Sequence, residues 1–168
     1  MSVTTVERSA QLWRRTLSIY PGGEAVRPSF RHLTLDDAPA LGALFAGAFS
    51  GTVDDMGQTE AQYAAKAKAI INGQYGQWIA KASWVIDEAG TLRAACLVCD
   101  YKLYGCPVIA IIGTSPLWKR KGEAAGLMDA VLFSLGILGY AECCAMVTIG
   151  NAASEWLFKS RGFSPQCG

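Results

Sequence analysis

Residues 108–114 (VIAIIGT) form an unbroken run of apolar and small side chains. No alternation with polar residues occurs there, and this pattern is typical of a central strand that is buried on both faces. A loop with three consecutive cations follows, and residues 122–138 then carry apolar side chains at helical spacing. A second apolar strand is predicted at residues 144–149 and a helix at residues 151–161. The sequence therefore predicts an α/β (α+β) fold built around a mixed sheet.

The part of the chain before this run supplies further strands and two helices. Residues 83–87 and 92–102 have strand periodicity on either side of a turn, which predicts a hairpin. A short strand is predicted at residues 29–34. Asp36 or Asp37 then caps a first helix, and residues 58–72 form a second. The first helix has four apolar residues on one face: Leu41, Leu44, Phe45 and Phe49. The polar loop between the two helices, residues 50–57, is of the kind that often carries recognition.

Residues 1–25 are predicted to be a helical extension, separate from a domain at residues 26–168. The helix would span residues 6–19, because Pro21 and the two glycines after it would end it. It would place four side chains on one side: Leu12, Trp13, Thr16 and Leu17.

Length, charge and composition limit the classes of protein to which the chain can belong. A chain of 168 residues has the size of one domain and can bury a real core. Its formal net charge of +1 provides no overall field for nucleic acid or an anionic membrane, so neither partner is expected. Every apolar stretch is interrupted before the ~18 to 20 residues that a membrane span needs. The N-terminus does not resemble a secretory signal, and we expect a cytoplasmic protein.

Six cysteines raise the question of a metal or disulfide framework. Cys96 and Cys99 form a C-x-x-C, but no second pair of that spacing exists and His32 is far away in sequence. We expect small, buried, reduced residues and no metal. His32, on the first strand, is expected to be structural.

The cation run Lys119, Arg120 and Lys121 leads directly into a helix that begins with Gly122. The first N–H groups of a helix have no intrahelical partner, and they lie at the positive end of its dipole. A glycine lets a ligand approach that backbone closely, so the segment is suited to a pyrophosphate. The competing interpretation is a solvated loop before a helix, and this segment alone leaves both open.

Two motifs together resemble the GNAT superfamily of acyl-CoA N-acyltransferases. Its signature is a strand, a proline and then R/Q-x-x-G-x-G/A at the start of a helix. Here Pro116 follows the strand, Lys119 takes the Arg or Gln position, and Gly122 and Ala124 take the small positions. The family closes with a pattern like N-x-x-A-x-x-L-Y-x-x-x-G-F, which is matched at these positions: Asn151, Ser154, Leu157, Phe158, Gly162 and Phe163. The resemblance covers residues 29–163 in element order and 108–163 in motif detail.

The resemblance implies a three-layer α/β/α arrangement with two splayed parallel central strands, and acetyl-CoA as co-substrate. The pyrophosphate would lie on the N–H groups of six residues: Lys119, Arg120, Lys121, Gly122, Glu123 and Ala124. The pantetheine arm would follow the strand at Ile112, Gly113 and Thr114. Asn151 would contact the same arm as well as cap the last helix.

The chain departs from the family where proton transfer is concerned. Phe158 stands near the thioester sulfur in the position of the usual tyrosine, so the hydroxyl that would protonate the leaving thiolate is missing. The central strand contains no titratable group, so the catalytic base is unknown. Four acids are candidates, each of which has an equally ordinary interpretation as a surface acid or helix cap: Asp54, Asp55, Glu60 and Asp100.

The C-terminal part is short for the family, because only five residues follow Phe163. One edge of the sheet would then lack its usual strand, and an open edge is a liability. The N-terminal extension or a second subunit would cover it, or it would stay open. A homodimer is therefore possible.

These observations favour an acetyl-CoA-dependent N-acetyltransferase that acts on a primary amine of a small-molecule acceptor. The alternative is an acyl-CoA-binding module of the same fold without transferase activity, as the loss of the tyrosine suggests. A nucleic-acid-binding protein is disfavoured, because no basic stripe or stacking aromatics extend the cation run.

Overall fold

The structure is a computed structural model that describes residues 9–17 and 27–167. Four α-helices lie within these ranges: α1 (Ala38–Phe49), α2 (Glu60–Ile71), α3 (Glu123–Ile137) and α4 (Ala152–Ser160). The strands are β1 (Ala10–Thr16), β2 (Phe30–His32), β3 (Gln77–Trp78), β4 (Trp84–Glu88), β5 (Thr91–Tyr101), β6 (Cys106–Thr114), β7 (Glu142–Thr148) and β8 (Ser164–Pro165). They form one mixed sheet in the order β2-β4-β5-β6-β7-β1-β8, and β3 pairs with β5.

The sheet is covered by helices on both faces. Leu97 and Val98 are neighbours on β5 and both are fully buried. Leu97 belongs to a core that Phe45 of α1 shares, whereas Val98 packs in the core that contains Leu127 of α3. The predicted three-layer α/β/α arrangement is confirmed. The apolar run that predicted a central strand is β6, which lies between β5 and β7.

The predicted helix at residues 6–19 is wrong over Ala10–Thr16, which form strand β1. This strand runs antiparallel to β7, from Ala10 opposite Thr148 to Thr16 opposite Glu142. Its middle residue, Trp13, is buried in the core on the α3 face. The apolar spacing fits a helix, but an isolated helix of this length is marginal, and pairing with an unpartnered strand edge outweighs it. Residues 1–8 and 18–26 lie outside the described residues.

Strand β1 covers the edge of β7 that the short C-terminal part leaves open. The sequence left three alternatives for this edge, and in the structure the N-terminal strand β1 is the segment that pairs with it. Only Ser164 and Pro165 then pair with β1 on its other side. The separation of residues 1–25 from the rest of the chain, and the homodimer, stay predictions.

The first helix is preceded by a short 3-10 turn, Leu35–Asp37, that fixes its start. Asp37 accepts from the backbone N–H of Thr34 at 2.8 Å and pairs with Arg31, also at 2.8 Å. These contacts hold the pKa of the Asp37 carboxyl below its usual value, with the Arg31 hydrogen bond as the main cause. The second helix begins after Thr59, whose hydroxyl accepts from the N–H of Gln62. Both helix starts lie within two residues of their predicted positions.

Five cysteines are buried, and Cys167 is exposed. Burial raises the pKa of the Cys96 and Cys143 thiols, and burial with nearby Asp100 raises that of Cys99 to about 11. A thiol with a raised pKa carries little of the reactive thiolate at neutral pH. The five buried cysteines are therefore packing residues.

We expect a thiol-alkylating reagent at about pH 8 to modify Cys167 alone in the native protein. The other five should react only after denaturation. Intact-protein and peptide mass spectrometry measure this, with Cys167→Ser as the control that should take up no label. Rapid native labelling of a second cysteine would show that the sheet opens more easily than this packing implies.

No helix in the described part of the chain is long and apolar enough to cross a membrane.

Candidate functional site

A cleft opens between β6 and β7. The two parallel strands pair at Val108 and Cys144, and no other position of β6 is paired with β7 among the described residues. On its opposite side β6 pairs with β5 along its length, from Thr114 opposite Ala94 to Cys106 opposite Tyr101. The edge of β6 after Ile109 therefore faces the cleft. Buried backbone N–H and C=O groups need partners, so this edge is available to an extended ligand.

The cleft has a volume of about 510 Å³. Its lining includes nine of the eleven residues that the sequence assigned to coenzyme A: Ile112, Gly113, Thr114, Lys119, Arg120, Gly122, Glu123, Ala124 and Asn151. Lys121 and Phe158 are the two outside that lining. Binding by these residues stays a prediction, but they lie together as the sequence motifs indicated.

One wall of the cleft is the start of α3, where Gly122 is the N-cap. Its φ of 79° lies in the left-handed region, which glycine adopts without strain. A glycine has no side chain to cap the first turn, so the first N–H groups of α3 have no side-chain cap. A Cβ added at Gly122 would meet nothing within 4 Å, so a ligand has room to approach this backbone closely. Arg120 also has a positive φ, 63°, which is uncommon for a residue with a side chain.

The loop before α3 is fixed to the sheet through Arg93 of β5. The Ser115 N–H donates to the Arg93 carbonyl oxygen at 2.7 Å. The Arg93 guanidinium stacks 3.7 Å from the ring centre of Trp118, and the Lys121 ammonium lies 4.9 Å from the same ring. Such cation–π contacts hold the loop in one geometry. No sequence motif pointed to Arg93.

The three cations of the loop have different surroundings. The Lys119 ammonium donates to the Ala48 carbonyl oxygen in the last turn of α1, and Lys121 lies on Trp118. Arg120 has no hydrogen bond or ion pair with any described residue, and its side chain is exposed. Of the three charges, that of Arg120 is the most available to an incoming anion.

Glu123 places a carboxylate in the same wall and is only 8% exposed. It lies 4.0 Å from Arg93, which also pairs with Glu88. An acid in the first turn of a helix is favourable because of the helix dipole. The Arg93 pair partly neutralises this carboxylate beside the uncapped N–H groups.

Asp54 also lines the cleft, from the loop between α1 and α2. Its Oδ1 accepts from the Thr148 hydroxyl at 2.7 Å and its Oδ2 from the Asn151 side-chain amide at 2.6 Å. Asn151 in turn accepts from the Ser154 N–H at 3.1 Å and so caps α4. One carboxylate thus joins the loop, β7 and α4. Each of its oxygens retains lone pairs for a further donor.

The other three candidate acids lie outside the lining of the cleft. Asp55 accepts from the N–H groups of Gly51 and Gly57 and so shapes its own loop. Glu60 is the exposed first residue of α2. Asp100, near the end of β5, pairs with Gln77, and together with burial it raises the pKa of Tyr140. Asp54 is therefore the candidate that the structure brings into contact with Asn151.

Phe158 and His32 have structural surroundings. Phe158 is 4% exposed and contacts Phe163 edge to face at 5.1 Å, and its neighbour Leu157 lines the cleft instead. The His32 Nδ1 lies 3.0 Å from the Ser83 carbonyl oxygen, and its ring lies 3.8 Å from that of Trp84. Among the described residues no group of three or more His, Cys, Asp or Glu side chains has a geometry that holds a metal.

No protein-family model and no curated protein matches the sequence. Solved structures match its fold. A GCN5-related N-acetyltransferase from Sphaerobacter thermophilus superposes with a TM-score of 0.71 at 16% identity, over 95% of this chain and 49% of that one. A GNAT-family acetyltransferase from Novosphingobium aromaticivorans gives 0.62 at 17% identity, over 94% of this chain. The acetyltransferase yncA from Salmonella typhimurium, solved with its cofactor acetyl-CoA, gives 0.63 at 18% identity, over 82% of this chain and 80% of that one.

The chain spans 61% of the length of the Novosphingobium protein and about half of the Sphaerobacter protein. At these identities the comparisons concern the fold. The chain has the fold of the GNAT acetyltransferases.

Proposed function

We propose that this protein transfers an acetyl group from acetyl-CoA to a primary amine of a small acceptor. The observation that carries the proposal is one continuous cleft that joins an uncapped helix N-terminus to a fixed carboxylate. The start of α3 and Arg120 offer the groups that suit an anionic ligand, and Asp54 lines the same cleft.

The start of α3 and the edge of β6 suit the two halves of CoA, its pyrophosphate and its pantetheine arm. Pyrophosphate binds the free N–H groups of α3, where the dipole favours negative charge. The pantetheine arm follows the edge of β6 at Ile112, Gly113 and Thr114, which lacks a partner strand on the cleft side. A cleft of about 510 Å³ is of the size that small-molecule ligands and cofactors occupy.

Asp54 is proposed to receive the acceptor. Its carboxylate attracts an ammonium group, orients the nitrogen and accepts a proton from it, directly or through water. The neutral amine then attacks the thioester carbonyl carbon, the new C–N bond forms, the C–S bond breaks, and the nitrogen releases its second proton to water. Phe158 offers no proton, so the CoA thiolate leaves as the anion or takes its proton from water. The placement of Asp54 in the cleft weighs against an acyl-CoA-binding module without activity.

Two measurements test the proposal. Titration calorimetry with CoA should show 1:1 binding, and thiol release from acetyl-CoA should depend on an amine drawn from a broad panel at about pH 8. Acceptor-free hydrolysis is subtracted. CoA binding without amine-dependent release across the panel would favour the non-catalytic module, and failure to bind CoA would refute both.

A further inference from the structure

Trp156 is exposed on the wall of the cleft. It lies on α4 with 68% of its surface exposed, although a tryptophan is among the side chains that gain most from burial. The other four tryptophans each have a partner. Trp13 packs in the core, Trp78 and Trp84 donate to Ser83 and Ser134, and Trp118 stacks on Arg93. No described residue makes a hydrogen bond, ring contact or cation–π contact with Trp156.

The indole lines the same cleft as the start of α3. Ala153, Trp156 and Leu157 are spaced as residues on one side of a helix, and all three line the cleft. Opposite them, Ala124 and Ala125 of α3 line the same cleft. Three alanines around one exposed aromatic ring leave room for a flat group beside the first turn of α3.

The position of Trp156 along α4 places it away from Asp54. Asn151, at the start of α4, contacts Asp54, whereas Arg161, just after its end, lies 3.1 Å from Asp129 of α3 and 3.5 Å from the Ala125 carbonyl oxygen. Trp156 lies five residues beyond Asn151, a rise of roughly 7.5 Å along the helix. The ring therefore lies on the part of α4 between its contact with Asp54 and its contacts with α3.

We infer that Trp156 is the stacking platform for the adenine base of the CoA. This inference rests on the proposed function, because it assigns the base to one side chain of the same cleft. The base is joined to the pyrophosphate through one ribose, so a site for the phosphates at α3 requires a place for the base nearby. An aromatic face supplies affinity for a purine without hydrogen bonds to its edges. Trp156 thus contributes to the recognition of the nucleotide half and leaves the pantetheine half to β6.

Binding of three ligands to four proteins tests the inference. CoA carries the adenosine, whereas 4′-phosphopantetheine lacks it and keeps the arm with one phosphate. Trp156→Ala should weaken CoA binding about 10-fold and change 4′-phosphopantetheine binding less than about 2-fold. Trp156→Phe keeps a smaller aromatic face and should weaken CoA only about 3-fold. 3′,5′-ADP should follow CoA in the same series.

Leu117→Ala is the matched control, because Leu117 is a 79% exposed apolar residue that lies outside the cleft lining. It should leave both affinities unchanged, and the melting temperatures of all variants should stay close to that of the original protein. Equal loss of CoA and 4′-phosphopantetheine, or no loss of either, would overturn the role of Trp156 while CoA binding by the original protein still stands. Failure of the original protein to bind CoA would overturn the proposed function, and with it this inference.

Discussion

Asp54→Asn is expected to lower kcat/KM for amine acetylation by at least ~100-fold, the scale of lost general-base catalysis, and to leave CoA affinity within about a factor of two. The substitution keeps the shape of the side chain and removes the negative charge that attracts and deprotonates the amine. The side-chain hydrogen bonds of Asp54 join it to Thr148 and Asn151 and not to α3, so the phosphate contacts should persist. Thiol release with an active amine measures the first effect and CoA calorimetry the second.

Glu60→Gln is the matched control, because it makes the same chemical change at an exposed residue at the start of α2. It should retain full activity. The variant Asp54→Asn should recover activity as the pH rises, since an amine that is already neutral needs no base. A purely structural role for Asp54, through Thr148 and Asn151, predicts a uniform loss at every pH together with a lower melting temperature. Full activity of Asp54→Asn at about pH 7 would remove Asp54 from the mechanism.

The α3 wall of the cleft was predictable because its signals are local. Gly122 lies where the chain must adopt a positive φ, and the helix begins at the next residue, as the apolar spacing indicated. The strand before it packs in both cores, with Ile109 in one and Ile111 in the other, because helices cover both faces of the sheet. Each of these features depends on residues within one strand–loop–helix segment, and the segment carries that information in its own sequence.

The N-terminal strand was not predictable because its partner is distant in sequence. Adjacent apolar residues at Leu12 and Trp13 fit either a helix face or a strand with one buried residue. Only the open edge of β7 decides between them, and β7 begins at Glu142. Tertiary pairing overrides a weak local preference in such segments.

Asp54 and Asp55 show the same limit within the site. The two acids are adjacent in one polar loop, and nothing in their local sequence separates them. In the structure Asp55 turns back to the N–H groups of Gly51 and Gly57, whereas Asp54 reaches Thr148 and Asn151 across the cleft. The distinction arises from the path of the loop between α1 and α2. The role of Arg93 was not predictable for a similar reason, because its contact with Trp118 joins two segments that no motif connects.

Ala124→Glu is expected to weaken CoA binding by at least ~100-fold without destabilising the protein. Ala124 is half-buried in the first turn of α3 and lines the cleft. Two like charges about 4 Å apart near a protein surface repel by about 4 kcal/mol, and partial solvent exposure reduces this to roughly the 2.7 kcal/mol that 100-fold represents. The same carboxylate stabilises the free protein by about 0.3 to 1 kcal/mol through the helix dipole. Affinity and stability should therefore change in opposite directions.

Ala124→Gln separates charge from size, because its side chain has the same length and carries no charge. It should weaken CoA binding no more than ~10-fold, and the difference between the two variants should shrink as salt is raised, since ions screen exposed charges. Calorimetry at low and high salt gives the CoA affinity of each variant, and thermal unfolding gives the stability of each. If Gln and Glu weakened CoA equally at low salt, no phosphate would lie near Ala124, and the N-terminus of α3 would not be the anion site. If Ala124→Glu alone lost most of its CoA affinity and its melting temperature did not fall, the free N–H groups of α3 would face the pyrophosphate in solution.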